Sequence, residues 1–352
     1  VTQERALLRS IVQCYTPTGE EQPVAAHLVD HFHRAGLEAS IDGAGNFVGC
    51  AGPGPVEVVL LGHIDTVPGE IRVREENGKL YGRGAVDAKG PMATFASATL
   101  RLAATGALAN TRLIVIGAVA EEGGSQGARH IVDRYRPRHL IIGEPGGWDS
   151  IVLGYKGSLR IEYRLERSTR HSAGPDESAP EVAVAFWHRL SAWCDDVNAG
   201  KRVFDQISPA LRMINTHGNG FSDTVAMDIH VRLPLEYGPE ILREKLEAWA
   251  GEADIAVVFG DPAVKGGKNT PLVRAFLGAL RDQGAQPRFK VKTGTSDMNV
   301  VAPAWCCPML AYGPGDSALD HTPEEHIELD EYDRAIGVLE TALRNLDKAV
   351  AG

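Results

Sequence analysis

Four short polar clusters interrupt the apolar runs in the first half of the chain, and each follows a stretch that reads as a strand. LLGHIDTVPG sets His63 and Asp65 just after a buried-type run, and YGRGAVDAKGP places Asp87 in a glycine-rich turn ahead of a helix. GAVAEEGG carries Glu121 and Glu122 at a strand end, and LIIGEPGGW carries Glu144 at another. Side chains two apart on an extended segment point the same way, so Asp65 can orient the His63 ring from behind while that ring meets a metal. Neighbours in a strand face opposite ways, which gives Glu121 and Glu122 different tasks. One such carboxylate alone is ordinarily a helix cap or a solvated charge. Four clusters together demand more, because ligands of open α/β sheets gather outside the carboxyl ends of the strands. Acidic groups crowded there repel one another unless a cation neutralises them. Imidazole and oxygen donors without thiolate suit zinc, cobalt or manganese, and a pair of ions needs a bridging group.

The elements that must position these residues alternate between helix and strand. Helical periodicity covers about 3–14 and 20–35, where Val24, Leu28, Phe32 and Ala35 share a face. The turn AGPGP at 51–55 precedes the strand VEVVLLG, residues 90–105 form a helix, and LIVIGAVA (113–120) and HLIIG (139–143) are buried strands. Unbroken apolar strands between helices predict a mostly parallel sheet covered on both faces. From about residue 155 the pattern changes. GSLRIEYRLE alternates, a helix follows near 180–195, then strands near 209–216 and 224–233, a helix at 239–250 and the strand DIAVVFG. That βαββαβ order is ferredoxin-like. Residues 270–352 return to helix and buried strand, with a long final helix from Asp330. An α/β domain of residues 1–154 and 268–352, interrupted by an α+β domain at 155–267, is the expected architecture.

Composition sets the outer limits. At 352 residues the chain holds one large or two moderate domains, and 43% hydrophobic with 23% charged content is ordinary for a globular protein. A net charge of −10 argues against general nucleic-acid binding, which needs basic surface. No apolar run approaches the roughly 20 residues that cross a bilayer, and VTQERALLRSIVQC reads as a surface helix without a signal-peptide core. Cys14, Cys50, Cys194, Cys306 and Cys307 are an odd set without CxxC spacing, which fits a reducing compartment. The cytoplasm is the expected location.

GHIDTVPG, GRGAVDAKGP, AEEGGSQGA, IGEP and DHTPEE at 320–325 resemble, in that order, the motifs of the M20 metallopeptidases. That family includes acetylornithine and succinyl-diaminopimelate deacylases and the glutamate carboxypeptidases. The resemblance covers nearly the whole chain, including an inserted lid. It implies two divalent ions, Zn²⁺ or Co²⁺, with His63 and Glu144 on one, Glu122 and His321 on the other, and Asp87 between them. It makes Glu121 the general base acting on water and Asp65 the support of His63. Only the DHTPEE match selects His321. In dimeric members a lid histidine from the other subunit helps to hold the oxyanion, and TRHSAGPDE, which departs from the usual motif, nominates His171. KTGTSDMN nominates Thr295, Ser296 and Asp297 beside the substrate, and NTHGNGFSDTVAMDIHVRLP nominates Asn219 and Arg232.

IGEPGGWDSIVLGYKGSLRIE and the FDQ at 204–206 resemble one subgroup more closely. Its members release lysine or ornithine from an acidic amino-group carrier protein in lysine and arginine biosynthesis, cutting the amide between the amino acid's α-amine and the γ-carboxyl of the carrier's terminal glutamate. A homodimer paired through the lid and no nucleic-acid or membrane partner are the further expectations. Lys156, Arg160, Arg164, Arg167 and Arg170 outnumber Glu162 and Glu166, a basic patch able to steer an acidic carrier.

Rival signals are present. Gly123 to Gly127 matches GxSxG, which offers a serine hydrolase built on Ser125 and His321. That reading leaves His63, Asp87, Glu121 and Glu122 without a task. His27 and His31 form HxxxH with no glutamate after His27, and Gly82-x-Gly84 lacks the third glycine of a dinucleotide loop. Cys306 and Cys307 read as buried core. A deacylase of small acyl-amino acids, a related dipeptidase or carboxypeptidase, and a binding protein that has lost its chemistry are the remaining alternatives.

Overall fold

The computed structural model describes residues 2–171 and 174–350. The chain forms two compact units, one of Val1–Gly154, Gly266–Val291 and Ser296–Gly352, the other of Tyr155–Lys265 with Lys292–Thr295.

In the first unit the strand Val56–His63 lies between Thr111–Ala118 and His139–Gly143 and runs parallel to both. Met309–Ala311 continues the parallel set beside His139–Gly143. The expected parallel pairing is therefore confined to the centre. Phe47–Ala51 runs antiparallel to Thr111–Ala118, Glu38–Ile41 antiparallel to Phe47–Ala51, and Met309–Ala311 meets Ser150–Tyr155 in antiparallel sense. Connection length explains the flank. Residues 42–46 are too few for a crossover helix, and Asp42 Oδ1 closes their turn by accepting from Ala44 N at 2.8 Å and Asn46 N at 3.0 Å.

Beyond their first residues the central strands are apolar as far as the rim, because both faces are covered. Leu60, Val115 and Ile141 belong to one core with Phe95 and Met92 of the helix Lys89–Ala104 and with Ile336 and Leu339 of the helix Leu329–Ala349. Among the described residues no helix is long and apolar enough to cross a membrane.

The second unit carries Gly157–Ser168, a helix Ala179–Asn198, Ser208–Gly218, Ser222–Leu233, a helix Pro239–Ala250 and Asp254–Asp261. Ser222–Leu233 and Asp254–Asp261 flank Gly157–Ser168, Ser208–Gly218 lies outside Ser222–Leu233, and all these pairs are antiparallel. Period-two alternation sends Leu159, Ile161, Tyr163 and Leu165 into a core with Phe186, Leu190, Leu242 and Leu246 of the two helices. Glu162, Arg164 and Glu166 point outward on the same strand.

Two sequence expectations fail here. Lys156 is buried, and its ammonium donates to Val203 O at 3.3 Å, Ser208 Oγ at 3.0 Å and Gln206 O, so it adds nothing to a surface patch. Arg160 pairs with Asp228, Arg167 with Glu252 and Arg170 with Asp176, which neutralises most of what remained. Cys306 is exposed and Cys307 half-buried, because the helix Asp297–Trp305 ends with Cys306 in the left-handed region at φ 45°, turning that side chain outward.

One buried carboxylate fastens the far end of the C-terminal helix. Asp347, 4% exposed, accepts from the amides of Asn110 at 2.9 Å and Thr111 at 2.8 Å and from the Thr111 hydroxyl at 2.7 Å. Burial pulls its pKa up, yet hydrogen bonds from Thr111, Asn110 and Ala109 hold it below the ordinary value. Asp347→Ala should cost about 2–4 kcal/mol at pH 7, since it strands buried donors. A depressed carboxyl stabilises above its unfolded pKa and is lost as pH falls through the folded one. The difference between the two proteins in urea unfolding should accordingly shrink below about pH 4.

Candidate metal centre

Strand register brings the polar clusters together. His63 pairs with Ala118 across one ladder and Gly62 with Gly143 across the other, so three strands end level. His63 closes its strand, Glu144 follows Gly143, and the Glu121-Glu122 pair follows the end of Thr111–Ala118. The two glutamates sit in a turn three residues beyond that strand and not on its last pleat as expected. The cause is Asp65, whose Oδ1 accepts the Glu121 amide and whose Oδ2 accepts the Glu122 amide, each at 3.1 Å. Ala120, just before them, takes φ 56°. Ala120, Ser125 and His321 are three of the five described non-glycine residues with positive φ, a conformation that persists only where surrounding contacts enforce it.

Asp65 is fully buried and also receives the Thr18 hydroxyl at 2.8 Å. His63 Nδ1 lies 3.3 Å from Asp65 Oδ1 and 3.1 Å from the Asp65 carbonyl, which leaves Nε2 facing Asp87 Oδ1 at 3.1 Å. Asp87 Oδ2 lies 3.0 Å from His321 Nε2, and that nitrogen lies 2.8 Å from Glu122 Oε1. The two oxygens of Asp87 thus face two different histidines. Two groups able to hold a metal ion follow, His63-Asp87-Glu144 and Asp87-Glu122-His321, and within each the donor atoms lie within 4.8 Å of one another. Asp87 is common to both.

Protonation reflects the same crowding. Burial disfavours an imidazolium at His63, but Asp65 and Asp87 more than reverse this and raise its pKa well above the usual value. Hydrogen bonds to Asp87 and Glu122 push His321 up to about 10. Burial opposes ionisation of Asp87, yet His321 and His63 hold its carboxyl well below the ordinary range. Carboxylates crowded this closely need positive charge beside them, and divalent ions supply it. The donor set fits such ions: two imidazoles and three carboxylates, with no thiolate.

Glu121 stands outside both groups. Burial holds its carboxyl well above the usual range, with His63 opposing and Glu144, Asp297 and Glu122 adding repulsion. Asp297 is 2% exposed, forms no well-aligned hydrogen bond through either oxygen, and is raised to about 6 chiefly by burial. The serine dyad is not formed, because His321 Nε2 is engaged by Glu122 and Asp87 while Ser125 lies beside Asp297.

The remaining candidates have local partners. Ser296 Oγ accepts from Met298 N at 3.2 Å and caps its helix, with Asn299 accepting from Ser296 N at 2.9 Å. In the second unit Arg232 Nη1 donates to Thr295 Oγ1 at 2.9 Å. Asn219 Oδ1 accepts from Phe221 N at 2.9 Å and Ser222 N at 2.8 Å, closing a hairpin turn. His171 is exposed, and Ser172 and Ala173 of its motif lie outside the described residues. Glu325, the last residue of the DHTPEE segment and given no role by the sequence reading, is buried against the Asp87 turn.

Metal uptake must displace the protons on His63 and His321. Both pKa values are raised, His321's to about 10, so proton competition weakens as pH climbs. Apparent Zn²⁺ affinity should rise between pH 6 and 8 by up to about tenfold per unit for each proton displaced. Titration calorimetry in buffers of different ionisation enthalpy measures that proton release, and pH-independent uptake would contradict the assignment.

The chain matches the model of peptidase family M20/M25/M40 over residues 59–345. It is 46% identical over 350 residues to a [LysW]-lysine hydrolase of Deinococcus radiodurans, covering 97% of this chain and 96% of that one. It is 31% identical over 332 residues to a [LysW]-lysine/[LysW]-ornithine hydrolase of Saccharolobus islandicus, covering 93% and 91%. Its fold is similar to that of an M20 family metallo-carboxypeptidase from Sulfolobus solfataricus, with TM-score 0.79, 18% identity, and 99% and 100% of the two chains covered. The order of the polar clusters, their convergence on Asp87 and the family match agree, and the chain is a member of the M20/M25/M40 peptidase family of hydrolases.

Proposed function

We propose that this protein hydrolyses the amide joining lysine or ornithine to the carrier protein LysW, using two divalent ions, Zn²⁺ or Co²⁺. The observation that carries the chemistry is Asp87, one carboxylate common to two donor groups with a histidine on each side. The observation that carries the substrate is 46% identity over 97% of the chain to a [LysW]-lysine hydrolase. In this reading His63 and Glu144 hold one ion, Glu122 and His321 the other, and Asp87 both. When bound, such ions acidify water and polarise the scissile carbonyl.

The chain's own residues supply the rest. Glu121 takes the proton of the attacking water and returns it to the departing α-amine, and the burial that raises its pKa favours holding that proton in between. Asp65 fixes the His63 ring and, through the two amides it accepts, the turn that presents Glu121 and Glu122 on separate tasks. Arg232, Thr295, Ser296 and Asn219 belong to segments assigned to substrate contact, and His171 to the oxyanion. The proposal includes a cytoplasmic homodimer paired through residues 155–267, serving lysine and arginine biosynthesis.

A hydrolysis panel tests the substrate. Lysine conjugated to LysW should be released, acetyl-ornithine, acetyl-lysine and succinyl-diaminopimelate should react far more slowly, and chelation should abolish turnover until Zn²⁺ or Co²⁺ is added. Rapid hydrolysis of the small amides with the conjugate untouched would make the protein a plain deacylase. Glu121→Gln should retain both ions while turnover falls by roughly 10²–10⁴. Glu122→Gln should instead lose one ion by elemental analysis, and the opposite pattern would exchange the two roles.

A further inference from the structure

Glu325 and Arg83 form a buried ion pair, 1% and 7% exposed, with Arg83 Nη1 donating to Glu325 Oε2 at 2.9 Å. Neither is a member of the two donor groups. Glu325 Oε1 accepts the amide of Val86 at 2.9 Å and that of Asp87 itself at 3.1 Å. The Glu325 carbonyl accepts the Gly82 amide at 3.3 Å, so both ends of the residue grip the turn that carries Asp87. Arg83 extends the clamp. Its Nη1 also reaches Thr322 O at 3.2 Å, next to His321, and its Nε reaches Gly69 O at 2.8 Å, in the loop that follows Asp65.

We infer that Glu325, held by Arg83, is a positioning residue that aims the Asp87 carboxylate at both histidines and so sets affinity for both ions. A deeply buried ion pair contributes little net stability, because desolvation offsets its attraction, while it does fix geometry. The amides of Val86 and Asp87 are the backbone on which the Asp87 side chain hangs, and a carboxylate that grips both leaves the turn little freedom to rotate. Residues behind a ligand of this kind typically change metal affinity 10–100-fold. Because Asp87 is common to both donor groups, disturbing Glu325 affects both ions together. The inference rests on the two-ion reading and adds a residue to it.

Two measurements separate this role from general loosening. In metal-free protein, Glu325→Gln should speed hydrogen exchange at Val86 and Asp87 while leaving the Asn110 and Thr111 amides bound by Asp347 unchanged. In Zn²⁺ competition titrations, Glu325→Gln should weaken both ions about 10–100-fold, and in an Asp87→Asn background the same change should have less than a twofold further effect. Should Glu325→Gln not fold, Arg83→Lys is read by the same two measurements. Wild-type affinity in these variants, or an equal loss with and without Asp87, overturns the inference. Failure of the wild-type chain to take up any divalent ion, with local exchange at Val86 and Asp87 still accelerated, would instead overturn the two-ion reading and leave the clamp standing.

Discussion

Mutual repulsion among carboxylates is the constraint around which the first unit is built. Asp65, Asp87, Glu121, Glu122, Glu144 and Asp297 all lie at or just beyond strand ends or helix starts, and most are wholly or partly buried. Groups of one sign gathered in a low dielectric must be protonated, paired or neutralised by a cation. Glu121 and Asp297 are shifted upward by burial, while Asp87 stays ionised between two imidazoles. The arrangement is tolerable because the surrounding fold is rigid. Parallel strands covered by apolar helices fix where the chain exits, and that exit decides which charges meet.

Rigidity at the rim comes from carboxylates that bind backbone and not metal. Asp65 spends its oxygens on the amides of Glu121 and Glu122 as well as on His63. Glu325 does the same for the turn of Asp87, and at the opposite end of the sheet Asp347 does so for the loop at 109–111. Each converts one charged side chain into a fixed backbone geometry. Hydrogen bonds to an ionised acceptor are roughly twice as strong as neutral ones, so a single residue can hold a whole turn. Left-handed backbone at Ala120 and His321 is the visible cost of bending the chain so that these residues converge.

The second unit makes a different use of charge. Its sheet is half-exposed, and Arg160, Arg167 and, just past the strand, Arg170 pair with acidic neighbours across the strands or in adjoining loops. Such pairs keep a wide outward face soluble while offering little net field. Long-range attraction of a charged partner scales with uncompensated charge, and pairing removes most of it here. Recognition of a protein-borne substrate in the proposed reaction therefore depends on contacts made at close range more than on steering by this strand.

Periodicity alone determined most elements of this protein. Pro239–Ala250 and His139–Gly143 fall where their patterns put them, and the βαββαβ order of the second unit was legible because alternation and helical spacing change over cleanly at residue 155. The candidate chemistry was legible for a related reason. Ligand types and a base are side-chain properties, and His63, Asp87, Glu121, Glu122 and Glu144 stand within short, unusual motifs. Tertiary structure decided what depends on pairing between distant segments. Register made three strands end level, Asp65 pulled the glutamate pair off its strand, and Lys156 turned inward to carbonyls some fifty residues away. His321 and Glu325 are the clearest cases. Their spacing from Asp87 carries no local periodic signal, because a hydrogen bond or ion pair across more than 230 residues is set by chain topology and not by any neighbouring sequence.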